Sequence, residues 1–166
     1  MLVHPIPPLF GPDSRILILG SFPSVKSREA MFFYGHPQNR FWKVIAAVYG
    51  EETPETVDEK RALILRNGLA LWDVVRSCEI EGSSDASIRN VTVNDIRVIL
   101  DNAPIGRVFV NGKTAEKLYR RYTEKLTGRS AEVLPSTSPA NAAWSLERLT
   151  DAWREALLGG TDAQNR

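Results

Sequence analysis

Two regions of this sequence gather the residue types that hold phosphate oxygens and orient water. The first is GSFPS (20–24) with YGHPQNRFW (34–42), and the second is LPSTSPAN (134–141). In each, prolines stiffen the turn while small hydroxyl residues offer side chains and backbone N–H groups suited to phosphate. Aromatic residues lie among them. Phe41 and Trp42 read as core, whereas Tyr34, followed by Gly35 in a loop, reads as a stacking platform for a base.

Several other chemistries lack their residues. NGKT (111–114) resembles the end of a phosphate-binding P-loop, but Gly106 lies one residue too far upstream, with a strand expected in between. There is no GxSxG elbow for a serine hydrolase and no GxGxxG after the first strand for a dinucleotide. His36 with Ser21 and Asp73 is a conceivable triad, yet a loop histidine followed by proline reads better as structural. One cysteine, Cys78, and two histidines, His4 and His36, supply neither a disulfide framework nor the ligand clusters of a zinc or iron–sulfur site. No metal and no cofactor are expected.

The elements that must position these loops alternate. RILILG (15–20), GLALWDV (68–74) and RVFVNG (107–112) read as buried strands, with a shorter strand in AEVL (131–134). Helices are expected at FWKVIAAVYG (41–50), at 56–67, at NDIRVILDN with Asn94 as N-cap, at 113–126 and around Leu149 to Leu157. Residues 21–38 and 77–92 read as loops. This pattern predicts a three-layer α/β/α sandwich with a short, mostly parallel central sheet. Its ligand crevice belongs at the carboxyl ends of the strands, where both loop regions, Asp73 and Asn111-Gly112 converge.

The 166 residues suit a single domain, with a core from about 12 to 158 and tails at 1–11 and 159–166. Hydrophobic residues at 43% and charged residues at 25% mark a globular chain, which argues against long disorder. No run approaches a membrane span, and the proline-broken N-terminus does not read as a secretory signal, so a cytoplasmic monomer is expected. The net charge of +1 hides a local bias, because residues 107–129 hold seven Lys/Arg against Glu116 and Glu124. Such a stretch is a solvated helix face or a phosphate-facing surface.

The motifs GSFPS, YGHPQNRFWKV, LWDV, NDI, VFVNGKTA and LPSTSPAN, in that order, resemble the uracil-DNA glycosylase superfamily. The resemblance is strongest to its deoxyinosine (hypoxanthine) branch and covers roughly residues 12 to 157. It implies a monofunctional glycosylase that flips a deaminated base out of DNA and hydrolyses its N-glycosidic bond in base excision repair, hypoxanthine first and uracil second. Double- or single-stranded DNA is then the partner, and the protein is nucleoid-associated when bound to it. Phe22 stands where mismatch-specific members carry a catalytic Asn, and Leu134 where the second motif usually opens with His or Asn. In the deoxyinosine branch the catalytic role falls to the Asn of HPQN, which is Asn39. The resemblance makes Phe22, Tyr34 and Asp73 base-binding residues. It makes Ser21, Ser24 and Ser136 a backbone pinch, with Ser138, Pro139 and Ala140 as a wedge in the vacated stack. A silent lesion-binding module and a small-molecule nucleosidase or esterase are the alternatives.

Overall fold

The computed structural model describes residues 1–159. A two-residue strand, β1 (Leu2–Val3), precedes β2 (Ile16–Gly20), an apolar run buried over most of its length. Helix α1 (Val25–Ala30) opens where the Ser24 hydroxyl accepts the Ser27 N–H. Helix α2 (Phe41–Val48) carries six buried residues. Helix α3 (Val57–Arg66) starts at Thr56, whose hydroxyl accepts the Glu59 N–H, and Asp58 and Glu59 complement the positive end of its dipole. Then come β3 (Leu69–Asp73), β4 (Val75–Glu79), a 3₁₀ turn at Asp85–Ser87 and β5 (Arg89–Val93). Helix α4 (Arg97–Leu100) leads into β6 (Arg107–Asn111). The basic helix is α5 (Lys113–Leu118) and α6 (Glu124–Thr127), joined by a π-helical turn at Tyr119–Thr123. Strand β7 (Glu132–Leu134) and helix α7 (Leu146–Arg154), extended by a π turn at Glu155–Gly159, complete the described chain.

Four strands form a parallel sheet in the order β3-β2-β6-β7. Strand periodicity sends neighbouring side chains to opposite faces. Ile18, Leu71 and Phe109 meet α2, α3 and α7 through Phe41, Ile45, Leu63 and Trp153. Leu17, Leu19 and Val110 meet Ile99, Ala115 and Tyr119 on the other face. Full burial of each such side chain contributes about 1.5–3 kcal/mol. The expected sandwich is therefore the observed one. Its register sets Gly20 beside Asp73 and Asn111 beside Leu134, so all four strands end on one rim.

Four local expectations need correction. Residues 77–92 are not a loop, because β4 and β5 pair antiparallel and join β1 in a second, three-stranded sheet. Their polar, irregularly alternating residues and two shifts of register conceal the strand period. Residues 1–11 are not a tail: Ile6 and Leu9 are core residues, and Leu9 exchanges backbone hydrogen bonds with Leu71. The loop at 21–38 contains α1, too short to show an apolar stripe. Asn94 caps no helix; its buried side chain donates to the Asp73 and Val75 carbonyls and holds the corner between β3 and β4. The C-terminal tail from residue 160 lies outside the described residues.

Candidate active site

A cleft of about 990 Å³ opens over the rim where the parallel strands end. Gly20, Asp73 and Asn111 form its floor, and the loops 21–24, 34–39, 83–86 and 135–141 form its walls. All ten residues expected at the site line it: Ser21, Phe22, Ser24, Tyr34, Asn39, Asp73, Ser136, Ser138, Pro139 and Ala140.

The floor is a hydrogen-bonded assembly. Asp73 is buried, and its Oδ2 lies 2.7 Å from His4 Nε2, with the two side chains 6% and 2% exposed. The Ile6 N–H donates to His4 Nδ1 at 3.2 Å. That nitrogen is therefore the unprotonated acceptor, and Nε2–H donates the hydrogen bond that Asp73 Oδ2 accepts. Gly20 makes room for the carboxylate, since a Cβ there would stand 2.4 Å from Asp73 Oδ1 and 3.2 Å from the Tyr34 hydroxyl.

Tyr34 has φ of 52°, a left-handed conformation that costs a non-glycine residue some strain. Its ring packs on Phe41 with centroids 4.0 Å apart, and its hydroxyl meets Asn111 Nδ2 at 3.3 Å. Asn111 cannot be turned over, because its Oδ1 accepts the Thr137 N–H at 3.1 Å while Nδ2 donates to Thr137 Oγ1 at 3.0 Å. Burial first, then the Asp73 charge, push the Tyr34 phenol well above its ordinary value, so it stays protonated.

Asn39 sits on the wall. Its Oδ1 accepts the Phe41 N–H at 2.9 Å, an Asx turn that opens α2, and its Nδ2 has no partner among the described residues. Arg40 ties this wall to the opposite loop: its N–H donates to the Thr137 carbonyl, and its guanidinium donates to the Ser138, Asn141 and Trp144 carbonyls. Both expected loops are thereby locked to one another.

The serines are partly committed. Ser21 Oγ donates to Asp85 Oδ1 at 2.9 Å. Ser24 caps α1, Ser136 Oγ accepts the Ser138 N–H, and Ser138 Oγ accepts the Ala140 N–H. Pro139 and Ala140 stand exposed at the tip of this turn. Phe22 lies edge-on to His4, with the Arg28 guanidinium 5.6 Å from its ring centroid. Asp85 belongs to a surface-exposed turn, yet its carboxyl faces the cleft. Burial raises its pKa, the Ser21 hydrogen bond opposes this and the Asp73 charge adds to it.

Sequence reasoning missed His4, Asp85, Thr137 and Arg40 as parts of the site. His4 lies in the misread tail and Asp85 in the misread hairpin, so neither carried a positional signal. His36 stays on the cleft wall, where its Nδ1 accepts the Gln38 N–H, and does not bond Ser21 or Asp73. The basic stretch is partly neutralised, because Arg107 pairs with Glu132 and Arg120 with Glu116, while the Arg129 guanidinium is held by the Ile105 carbonyl. Among the described residues no group of three His, Cys, Asp or Glu could hold a metal ion. No helix among them is long and apolar enough to cross a membrane.

The family model described as "Uracil DNA glycosylase superfamily" matches residues 7–158. A protein of Methanosarcina barkeri named hypoxanthine DNA glycosylase is 34% identical over 153 residues, covering 91% of this chain and 95% of that protein. A protein of the same name from Methanosarcina acetivorans is 34% identical over 152 residues, covering 89% and 94%. A solution NMR structure of a protein from Methanosarcina acetivorans superposes with a TM-score of 0.77 at 31% identity, covering 92% of this chain and 93% of that one.

Proposed function

Since this chain belongs to the uracil DNA glycosylase superfamily, we propose that it is a monofunctional DNA glycosylase acting on deaminated bases, hypoxanthine first and uracil second. The observation that carries this reading is the cleft itself. An amide whose Nδ2 has no partner among the described residues, Asn39, lines it together with a carboxylate and a phenol able to read a base. The target base leaves the stack at a cost of about a few kcal/mol and enters this cleft. Phe22 and Tyr34 wall the extruded base, and Asp73 Oδ1 meets its edge. Ser21, Ser24 and Ser136 pinch the backbone, while the exposed turn at Ser138, Pro139 and Ala140 enters the vacated stack.

Departure of the base leaves an oxocarbenium-like sugar, a strong electrophile that a weakly activated water can capture. A neutral amide suffices for that work. Asn39 Oδ1 keeps a second lone pair beyond the Phe41 N–H, and Nδ2 is free to fix the sugar or the water. Hydrolysis through water leaves an abasic site and an intact strand.

The test is incubation of a duplex containing one deoxyinosine, followed by alkali, beside the same duplex with uracil. A strand break that needs both enzyme and alkali is expected, faster for deoxyinosine. Binding without any alkali-labile break would instead make the protein a silent lesion-recognising module. Base release from free nucleosides but not from DNA would make it a nucleosidase.

A further inference from the structure

We propose that the cleft recognises the lactam edge that deamination creates, with the Tyr34 hydroxyl as donor and Asp73 Oδ1 as acceptor, and that His4 is the positioning residue that keeps Asp73 an acceptor. This rests on the glycosylase reading above and adds the chemical feature by which a substrate is chosen.

The donor follows from Asn111. Thr137 fixes the Asn111 amide with Nδ2 towards Tyr34, so the phenol oxygen accepts there and its own proton is left for the cleft. The acceptor follows from His4. Its proton is spent on Asp73 Oδ2, while Oδ1 has no partner among the described residues and lies over Gly20 next to the Tyr34 hydroxyl. The two groups therefore stand side by side, one donor and one acceptor.

A lactam presents the complement: a carbonyl oxygen that accepts and an adjacent N–H that donates. Hypoxanthine offers O6 and N1–H, and uracil offers O4 and N3–H. Adenine and cytosine present the reverse, an amino group beside an unprotonated ring nitrogen. Either parent base would set N–H against O–H and a lone pair against a carboxylate. Sites built on hydrogen bonds reject such mismatches strongly, because buried polar groups are left unpaired. The pair thus separates each deaminated base from its parent, adenine or cytosine. Guanine and thymine carry the same lactam edge, so their rejection falls to how the cleft walls receive the guanine 2-amino and thymine 5-methyl groups.

His4 makes the arrangement directional. The Ile6 N–H holds its ring in the tautomer that only donates to residue 73. In Asp73→Asn, His4 would demand the amide oxygen and aim the NH₂ at the cleft, turning the acceptor into a donor. In the double variant His4→Gln/Asp73→Asn, the new amide at position 4 can present its oxygen instead. The amide at position 73 is then free to turn and return its own oxygen to the base.

The experiment is single-turnover excision from a deoxyinosine duplex by wild type, Asp73→Asn, His4→Gln and the double variant. Each is checked by melting and by binding to duplex carrying an abasic-site analogue. Asp73→Asn should excise at least ~10²-fold more slowly than wild type, in line with loss of one preorganised polar group. The double variant should be at least ~10-fold faster than Asp73→Asn, since its amide can turn. A further variant, His4→Leu, can neither donate nor accept and should lose at least ~10-fold relative to His4→Gln, because the preorganised donor is gone. A merely structural His4 would make the double variant slower than either single change, and that result overturns the inference. Wild type that binds but never releases hypoxanthine or uracil defeats the glycosylase reading instead, so the two failures are told apart.

Discussion

Gly20 and Asp73 stand opposite one another where β2 and β3 end in parallel register, and the gap between them admits no methyl group. A Cβ on residue 20 would press on Asp73 Oδ1 at 2.4 Å and on the Tyr34 hydroxyl at 3.2 Å. Overpacking of this kind costs typically ~1–3 kcal/mol. Gly20→Ala should therefore lower the melting temperature modestly and cut excision far more, since the carboxylate and phenol are the two groups displaced. Parallel melting and single-turnover measurements check this; equal activity of the two forms would mean that Asp73 does not touch the substrate.

The strand ends that build this floor are legible in the sequence because buried parallel strands are continuous apolar runs, and Gly20, Asp73 and Asn111 each close one. The walls are legible because Pro/Ser turns follow those ends directly. His4 is not, since it reaches Asp73 from 69 residues away through a segment whose only sheet ties among the described residues are a two-residue strand and one bridge at Leu9. Arg40 is equally silent. Nothing local marks a guanidinium that spends its donors on carbonyls about a hundred residues downstream. Long-range hydrogen bonds have no period, so a pattern search sees the elements and misses the bolts between them.

Excision should survive a chelator. The described residues provide no group of three metal-type ligands near or away from the cleft, and the proposed chemistry asks only for oriented water. The check is excision with and without EDTA. Loss of activity restored by a divalent cation would require a different mechanism.

The Asp85 carboxyl predicts a pH-dependent stability. Its pKa is raised by burial, so the folded chain holds that proton to higher pH than the unfolded chain does. The stability it contributes is complete below the ordinary carboxylate value and is lost as pH rises through the raised one. At neutral pH the charged group is a cost. Asp85→Asn should melt higher than wild type near neutrality, with the difference closing towards acid. A difference that does not change with pH would assign the effect to the Ser21 contact alone.

Charge reversal on the basic helix should act on DNA affinity rather than on chemistry. Arg120 is exposed and pairs with Glu116 at 3.2 Å, and the neighbouring Arg121 has its guanidinium 5.2 Å from the Tyr122 ring centroid. Exposed pairs of this type hold the side chain weakly and leave it free to meet phosphate. Arg120→Glu with Arg121→Glu should weaken binding to all sequences alike. It should also flatten the slope of log K against log salt by about one for each phosphate no longer neutralised. An unchanged slope would return this helix to the role of a solvated face.

Asn39 has two tasks in the structure, and one substitution separates them. Its Oδ1 caps the start of α2 through the Phe41 N–H, while its Nδ2 is unpaired among the described residues and borders the cleft. A serine hydroxyl can accept the same N–H, as Ser138 does for Ala140 across the same spacing. Serine has no carboxamide, however, and cannot hold a water and a sugar-facing contact together. Asn39→Ser should therefore melt close to wild type. Its single-turnover excision from a deoxyinosine duplex should fall by at least the ~10²-fold typical of removing one preorganised polar group. Binding to DNA should persist, because the proposed phosphate contacts come from Ser21, Ser24, Ser136 and the basic helix. Excision near the wild-type rate would remove Asn39 from the chemistry and leave Asp73, the carboxylate on the cleft floor, as the group to test next.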